Sequence, residues 1–159
     1  MSARATDFYV FCIIDCWVKL MSDLRTVILK WKKYTCYEDV RSDNEAWSED
    51  KDTNSQGKGI YLMADSKGTP LYIGMAYGKW GFADRYNATG FLDAAIRSAG
   101  NLIFFAKVDS KSLCKDIETQ LLWEEKPKYN KRIPTPQRNI TIKHEGQMPN
   151  LARALMYRS

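Results

Sequence analysis

Two short apolar runs, Gly59–Ala64 and Leu71–Ile73, flank the hexapeptide Asp65-Ser66-Lys67-Gly68-Thr69-Pro70. That arrangement restricts the fold more than any other feature of the chain. Turn formers between two β-rich runs predict an antiparallel hairpin, with strands over 58–64 and 70–74 and a turn over 65–69. Adjacent strands lie ~4.8 Å apart, so the tyrosines central to the two runs, Tyr61 and Tyr72, are placed to reach one site. Gly59 and Gly74, one in each strand, mark positions of close backbone approach.

The remaining periodicity adds helices and one strand. Tyr77–Gly81 reads as a loop, followed by a helix from about Phe82, an interruption near Gly90 and a helical run over 91–98 with Gly100 as a C-cap. Leu102–Val108 reads as a third strand. Ser110 or Ser112 caps a helix over 112–125, which Pro127 stops. The order β-β-α-β-α predicts an α+β fold: a small three-stranded sheet, with an antiparallel hairpin, flanked by helices. Residues 7–34 are apolar and aromatic and read as one or two helices, the second over 24–33 behind a Ser22-Asp23 cap. Residues 38–57 read as an acidic loop, and beyond Asn130 periodicity is weak. The expected organisation is an N-terminal helical extension and acidic linker over 1–56, a core over 57–131 and a basic tail over 132–159.

Charge is uneven along these parts. From Lys126 to Ser159 there are eight Lys or Arg and one acid, whereas Glu38–Gln56 carries seven acids and two bases. A basic tail can make phosphate contacts, and the bland alternative is a solvated surface. The four cysteines form no CxxC pair and there is one histidine, His144, so neither a zinc finger nor a disulfide framework is expected. The apolar run Phe8–Ile14 is broken by Asp15 with no small-residue cleavage site after it, which argues against a signal peptide. No segment approaches the ~20 apolar residues of a membrane span. A non-secreted, cytoplasmic protein (or a nucleoid or nuclear one) is the expectation.

Two further positions stand out. On the 112–125 helix, Leu113, Ile117 and Leu121 form one i,i+4 row, and Cys114, Glu118 and Leu122 form the next. A carboxylate between Cys and Leu is out of place on a solvated face, although an edge glutamate reaching water would also account for it. Arg85 lies in the helix after the hairpin, where a guanidinium fork suits phosphate oxygens; pairing with Asp84 or Asp93 is the structural alternative.

The tripeptides Gly59-Ile60-Tyr61 and Tyr72-Ile73-Gly74, followed in order by Arg85, Glu118 and Pro127-Lys128-Tyr129-Asn130, resemble the GIY-YIG nuclease family over roughly Gly57–Lys131. The resemblance implies a metal-dependent endonuclease that hydrolyses phosphodiesters, restriction-like or structure-specific. Tyr61 would act as general base or relay to the attacking water, with Tyr72 in support. Arg85 would stabilise the developing charge, and Glu118 would bind a single Mg²⁺, for which Mn²⁺ substitutes. Gly59, Gly74 and Asn130 would have structural roles beside the site. Lys79, Lys128, Lys131 and Arg132 are the nucleic-acid contacts expected. The partner is DNA, with RNA left open, and cutting both strands with one site per chain implies a homodimer on DNA. There are departures from the family pattern. Thr89 stands where a His or Tyr is common one turn after the arginine, so Tyr77, Tyr86 or His144 would have to fill that place. Met75 replaces a frequent lysine, for which Lys79 is the substitute.

Two other readings compete. Asp116 with Glu124-Glu125-Lys126 imitates a D…ExK restriction-nuclease pattern, but that pattern requires a strand where this chain predicts a helix. A catalytically degenerate GIY-YIG nucleic-acid-binding module would retain salt-sensitive binding without cutting. A single histidine disfavours HNH-type chemistry.

Overall fold

The computed structural model describes residues 25–47, 57–78, 81–87, 102–138 and 140–152. Its elements in chain order are β1 (Arg25–Tyr34), α1 (Tyr37–Ser42), β2 (Gly59–Ala64), β3 (Pro70–Ala76), α2 (Phe82–Asn87), β4 (Leu102–Lys107), α3 (Lys111–Glu125) and β5 (Ile140–Gly146). The fold is α+β, as expected, but the sheet has five strands rather than three, in the order β3-β2-β4-β1-β5. The pairs β3/β2, β2/β4 and β4/β1 are antiparallel, and β1/β5 is parallel.

The two additional strands come from the flanks. The helix expected over 24–33 is instead β1. Leu29 and Trp31 are buried while Ile28 and Lys30 are exposed, which is the two-residue period of a strand. Exposed Ile28 falls between core positions and makes the apolar pattern resemble a helical face, but Thr26, Val27 and Ile28 are β-branched and favour a pleated backbone. The segment expected to be a basic tail of weak periodicity contains β5, where Ile140 and Ile142 pack into the core. The acidic stretch holds α1, whose Val40 is fully buried. The helices expected over 7–23 and 91–98, and the Gly100 cap, lie outside the described residues.

Strands β2 and β4 are covered on both faces, which is why their sequences run as unbroken apolar stretches. On one face Leu29, Trp31, Ile60, Leu62, Ile73, Phe104 and Ala106 pack against Cys114, Ile117, Leu121 and Leu122 of α3. On the other, Tyr61, Met63, Ile103 and Phe105 pack with Val40 of α1, Trp47, and Phe82 and Ala83 of α2. The hydroxyl of Ser110 accepts from Leu113 N–H at 3.3 Å to cap α3, and Lys126, at φ 45°, closes its far end through a bond to Leu122 O before Pro127. No helix among the described residues is long and apolar enough to cross a membrane.

His144 lies on β5, at the sheet edge opposite β3. Its Nδ1 accepts from Trp31 Nε1 at 3.0 Å, and burial pushes its pKa down. Protonation at Nδ1 would destroy that acceptor. A depressed folded pKa means the unfolded chain binds the proton more readily, so stability from this pair is present above the ordinary His value near ~6.5 and is lost as pH falls below it. Between pH 7.5 and pH 5 the wild-type chain should therefore lose about 1 kcal/mol more than His144→Gln, the size of one hydrogen bond. Denaturant melts of both proteins across that range check this, and parallel pH profiles would refute it.

Candidate active site

The site is built along the outer edge of β3. In the β2/β3 register Tyr61 stands opposite Gly74 and Met63 opposite Tyr72, so both tyrosines project onto the same face. Their rings are 6.0 Å apart and inclined by 27°. Gly74 is required by this pairing: a Cβ there would lie 2.6 Å from both Cζ and Oη of Tyr61. The tip of the Tyr61 ring thus lies across the Gly74 backbone.

The next backbone N–H along β3, that of Met75, donates to Oε1 of Glu118 at 3.0 Å. Glu118 arrives there because Ile117 and Leu121, on the same helix, anchor α3 in the core. Two residues back from Met75, Ile73 N–H donates to Asn130 Oδ1 at 2.9 Å and Ile73 O accepts from Asn130 Nδ2 at 2.7 Å. Tyr129 N–H donates to Leu71 O at 3.0 Å. Glu118, Asn130 and the Tyr129 backbone therefore close an edge strand whose polar groups would otherwise be unpaired.

Arg85 reaches the site from α2. Phe82, three residues earlier on the same helix face, packs on Tyr61 with ring centroids 4.8 Å apart. The start of α2 is held by a tight junction in which Phe82 N–H donates to Gly57 O at 2.8 Å. Gly81 there has φ +56°, and a Cβ on it would lie 2.2 Å from Gly57 O. The positive charge of Arg85 favours the ionised forms of both Tyr61 and Glu118.

The electrostatics of the pair are unusual. Tyr61 is fully buried, and burial, reinforced by Tyr72, raises its pKa well above the ordinary phenol value, with Arg85 pulling the other way. Tyr72 is its polar neighbour, close enough to act on its charge, but Tyr61 Oη makes no hydrogen bond of standard geometry among the described residues. Glu118 is also pushed up by burial, against the opposing pull of the Met75 N–H, Arg85 and Lys115. Its second oxygen, Oε2, makes no hydrogen bond or ion pair among the described residues.

No protein-family model, no curated protein and no solved structure matches this chain. What the site can do rests on its own geometry.

Tyr61, Tyr72, Gly74, Glu118 and Asn130 are gathered along β3, and the charge of Arg85 acts on Tyr61 and Glu118. Gly59 lies at the start of β2, where a Cβ would come within 2.1 Å of Ala106 O, so its role is in strand packing. Lys128, Lys131 and Arg132 are exposed on the segment that follows α3, and Lys128 Nζ sits 5.2 Å from the Tyr129 ring centroid. Lys79 and Thr89 lie outside the described residues. Of the residues considered as replacements for the missing His or Tyr, His144 is at the opposite sheet edge and the Tyr77 hydroxyl donates to Asp109 O. Tyr86 is within α2.

Sequence reasoning did not anticipate Phe82 as the floor under Tyr61 or the Glu118–Met75 bond. The first could have been found from the three-residue spacing of Phe82 and Arg85. The second joins residues 43 apart in sequence and leaves no local signal.

Glu118 offers one oxygen of the kind a divalent cation takes. A hard carboxylate oxygen without a partner, on a group whose burial leaves its charge undercompensated, is what Mg²⁺ takes from a protein. Among the described residues there is no group of three or more His, Cys, Asp or Glu, so an ion here would be held through Glu118 with few protein ligands.

Proposed function

We propose that this chain is a Mg²⁺-dependent DNA endonuclease of the GIY-YIG type. The observation that carries the reading is the convergence on the Gly74–Met75 peptide. An unpartnered buried hydroxyl and a carboxylate with one free oxygen meet there at a sheet edge, within electrostatic reach of the Arg85 guanidinium. Hydrolysis of a phosphodiester requires an oriented water, positive charge against the phosphorane and a stabilised leaving oxygen.

The Tyr61 hydroxyl, with Tyr72 beside it, orients the attacking water. As the chain stands, burial keeps Tyr61 protonated at neutral pH. It would therefore act as a relay rather than a standing phenolate base: as it accepts the proton of the water it hands its own to the oxygen of Tyr72 beside it, whose proton goes to solvent. Arg85 lowers the cost of negative charge on Tyr61 and binds the phosphate oxygens as charge develops on them. When bound through Glu118, Mg²⁺ (or Mn²⁺ in its place) supplies neutralisation of the charge gathering on the leaving oxygen. Lys128, Lys131, Arg132 and Lys79 hold the flanking nucleic-acid backbone. Two chains acting together on DNA would account for a double-strand cut.

Incubation of the protein with supercoiled plasmid, single-stranded DNA and RNA, in Mg²⁺ and in EDTA, tests the reaction class. The expected result is cutting that EDTA abolishes. Salt-sensitive binding without any cutting would instead support a binding module. Tyr61→Phe sharpens the assignment. Removing a buried hydroxyl with no partner should leave the melting temperature unchanged, or raise it by a few degrees for about 1 kcal/mol. Cutting should fall at least about 10²-fold. Wild-type cutting by Tyr61→Phe would remove Tyr61 from the mechanism.

A further inference from the structure

At the closed end of the β2–β3 hairpin lies a cavity of about 280 Å³, with Lys33, Ser66, Lys67, Gly68 and Asn150 along one side and an apolar wall, Phe104 among it, along the other. Its walls are tied in place. Asp65 Oδ1 accepts from the N–H groups of Lys67 and Thr69, both at 2.9 Å, which turns that carboxylate into its own loop. Asn150 N–H donates to Gly68 O at 2.9 Å, and Lys33 N–H donates to Gln147 Oε1 at 3.0 Å. The hairpin turn and the segment after β5 are thereby held together across the opening.

No acidic residue lines this cavity. Neither the Lys33 nor the Lys67 ammonium forms an ion pair among the described residues; the same holds for exposed cations such as Lys30, Lys111 and Lys143, and what sets Lys33 and Lys67 apart is that they border one concavity. The N–H and hydroxyl of Ser66 likewise have no partner among the described residues. Two uncompensated cations and two free donors around one concavity select an anion with several acceptor oxygens. The volume lies just under the ~300 Å³ lower bound of pockets for whole small ligands, so it suits a phosphate group with little more than a sugar attached.

We infer that this cavity binds a phosphate group, clamped by Lys33 and Lys67 with Ser66 as donor. It is distinct from the active site: four residues of extended strand separate Pro70 from Gly74, a span of ~13 Å. Resting on the proposed function, the phosphate belongs to the nucleic-acid backbone at a distance from the cut. The same chemistry would take a free phosphorylated compound.

The test uses the full chain and the double variant Lys33→Gln/Lys67→Gln, both of whose substituted side chains are exposed. Binding of a fluorescent 20-base-pair duplex is measured across a salt series. Loss of one phosphate contact should make the slope of log K against log salt shallower by about 0.9 and weaken binding about fivefold at 0.15 M salt. The cutting rate at saturating DNA should be unchanged. Independently, tripolyphosphate is titrated against the amide resonances of Ser66 and Gly68, which should shift saturably in the wild type and not in the double variant. If the wild type binds no duplex, the nuclease reading fails, and the tripolyphosphate shifts alone then uphold a site for a free phosphorylated compound. An unchanged salt slope together with unshifted amides overturns the inference.

Discussion

Glu118→Gln should cut DNA at least about 10³-fold more slowly than the wild type, about 4 kcal/mol of transition-state stabilisation, and yet melt no lower. The substitution separates two roles of one side chain. The amide oxygen of Gln still accepts from Met75 N–H, so the tie between α3 and the edge of β3 survives. What disappears is the charge that binds a cation. Burial raises the Glu118 pKa, so the folded state holds its proton more tightly than the unfolded state does. The stabilising contribution of a raised carboxylate is present at low pH and is lost as pH rises through the ordinary carboxylate value and on through the folded one. At neutral pH the ionised Glu118 is therefore a cost to the fold that Gln removes. Differential scanning calorimetry beside a plasmid-nicking assay in Mg²⁺ reads both effects. Cutting within tenfold of wild type would show that Glu118 holds no catalytic cation. A large fall in melting temperature would show that it serves chiefly to hold α3 on the sheet.

Gly59→Ala is expected to be the most damaging small substitution in the central sheet. A methyl group at this position would lie 2.1 Å from Ala106 O and 3.0 Å from both Ala106 C and Lys107 Cα. These atoms belong to the backbone of β4, which is hydrogen-bonded on both sides and packed on both faces, so no flexible side chain can move away. Relief requires β2 and β4 to separate, at a cost of about 4 kcal/mol or more against a total stability of ~5–15 kcal/mol. For a chain of this size that is a drop of roughly 10 °C in melting temperature. Thermal unfolding followed by far-UV circular dichroism measures it directly. A variant that melts within two or three degrees of wild type, as judged against about 2–4 °C per kcal/mol, would mean that the strands are not so closely apposed.

The two glycines of the paired tripeptides thus act differently. Gly59 admits the backbone of the neighbouring strand, whereas Gly74 admits the phenol of Tyr61. Substitution at the first should reduce stability, and substitution at the second should displace a proposed catalytic group.

The hairpin, its turn, the strand Leu102–Lys107 and the capped helix ending before Pro127 were all legible in the sequence. Each rests on local chemistry: alternation or apolar runs of strand length, turn residues between them, a serine cap and a proline stop. The α+β class follows from their order. β1 and β5 were not legible as members of the same sheet. Their parallel pairing joins residues such as Arg25 and Ile140, which no local pattern connects, and β1 carries an exposed Ile28 that blurs its alternation.

The same division holds at the candidate site. The resemblance of the ordered motif singled out Tyr61, Tyr72, Arg85 and Glu118 as candidates; taken one by one, each residue also had an ordinary structural reading. Their electrostatic state was decided by tertiary packing. Phe82 on one side and the apposed strands on the others bury Tyr61 completely and leave its hydroxyl without a partner. The core-facing row of α3 carries the Glu118 carboxylate to the Met75 N–H. Local sequence determines which functional groups a chain owns and which short elements bear them. Burial and charge depend on what the rest of the chain brings alongside, and those are set by contacts between residues far apart in sequence.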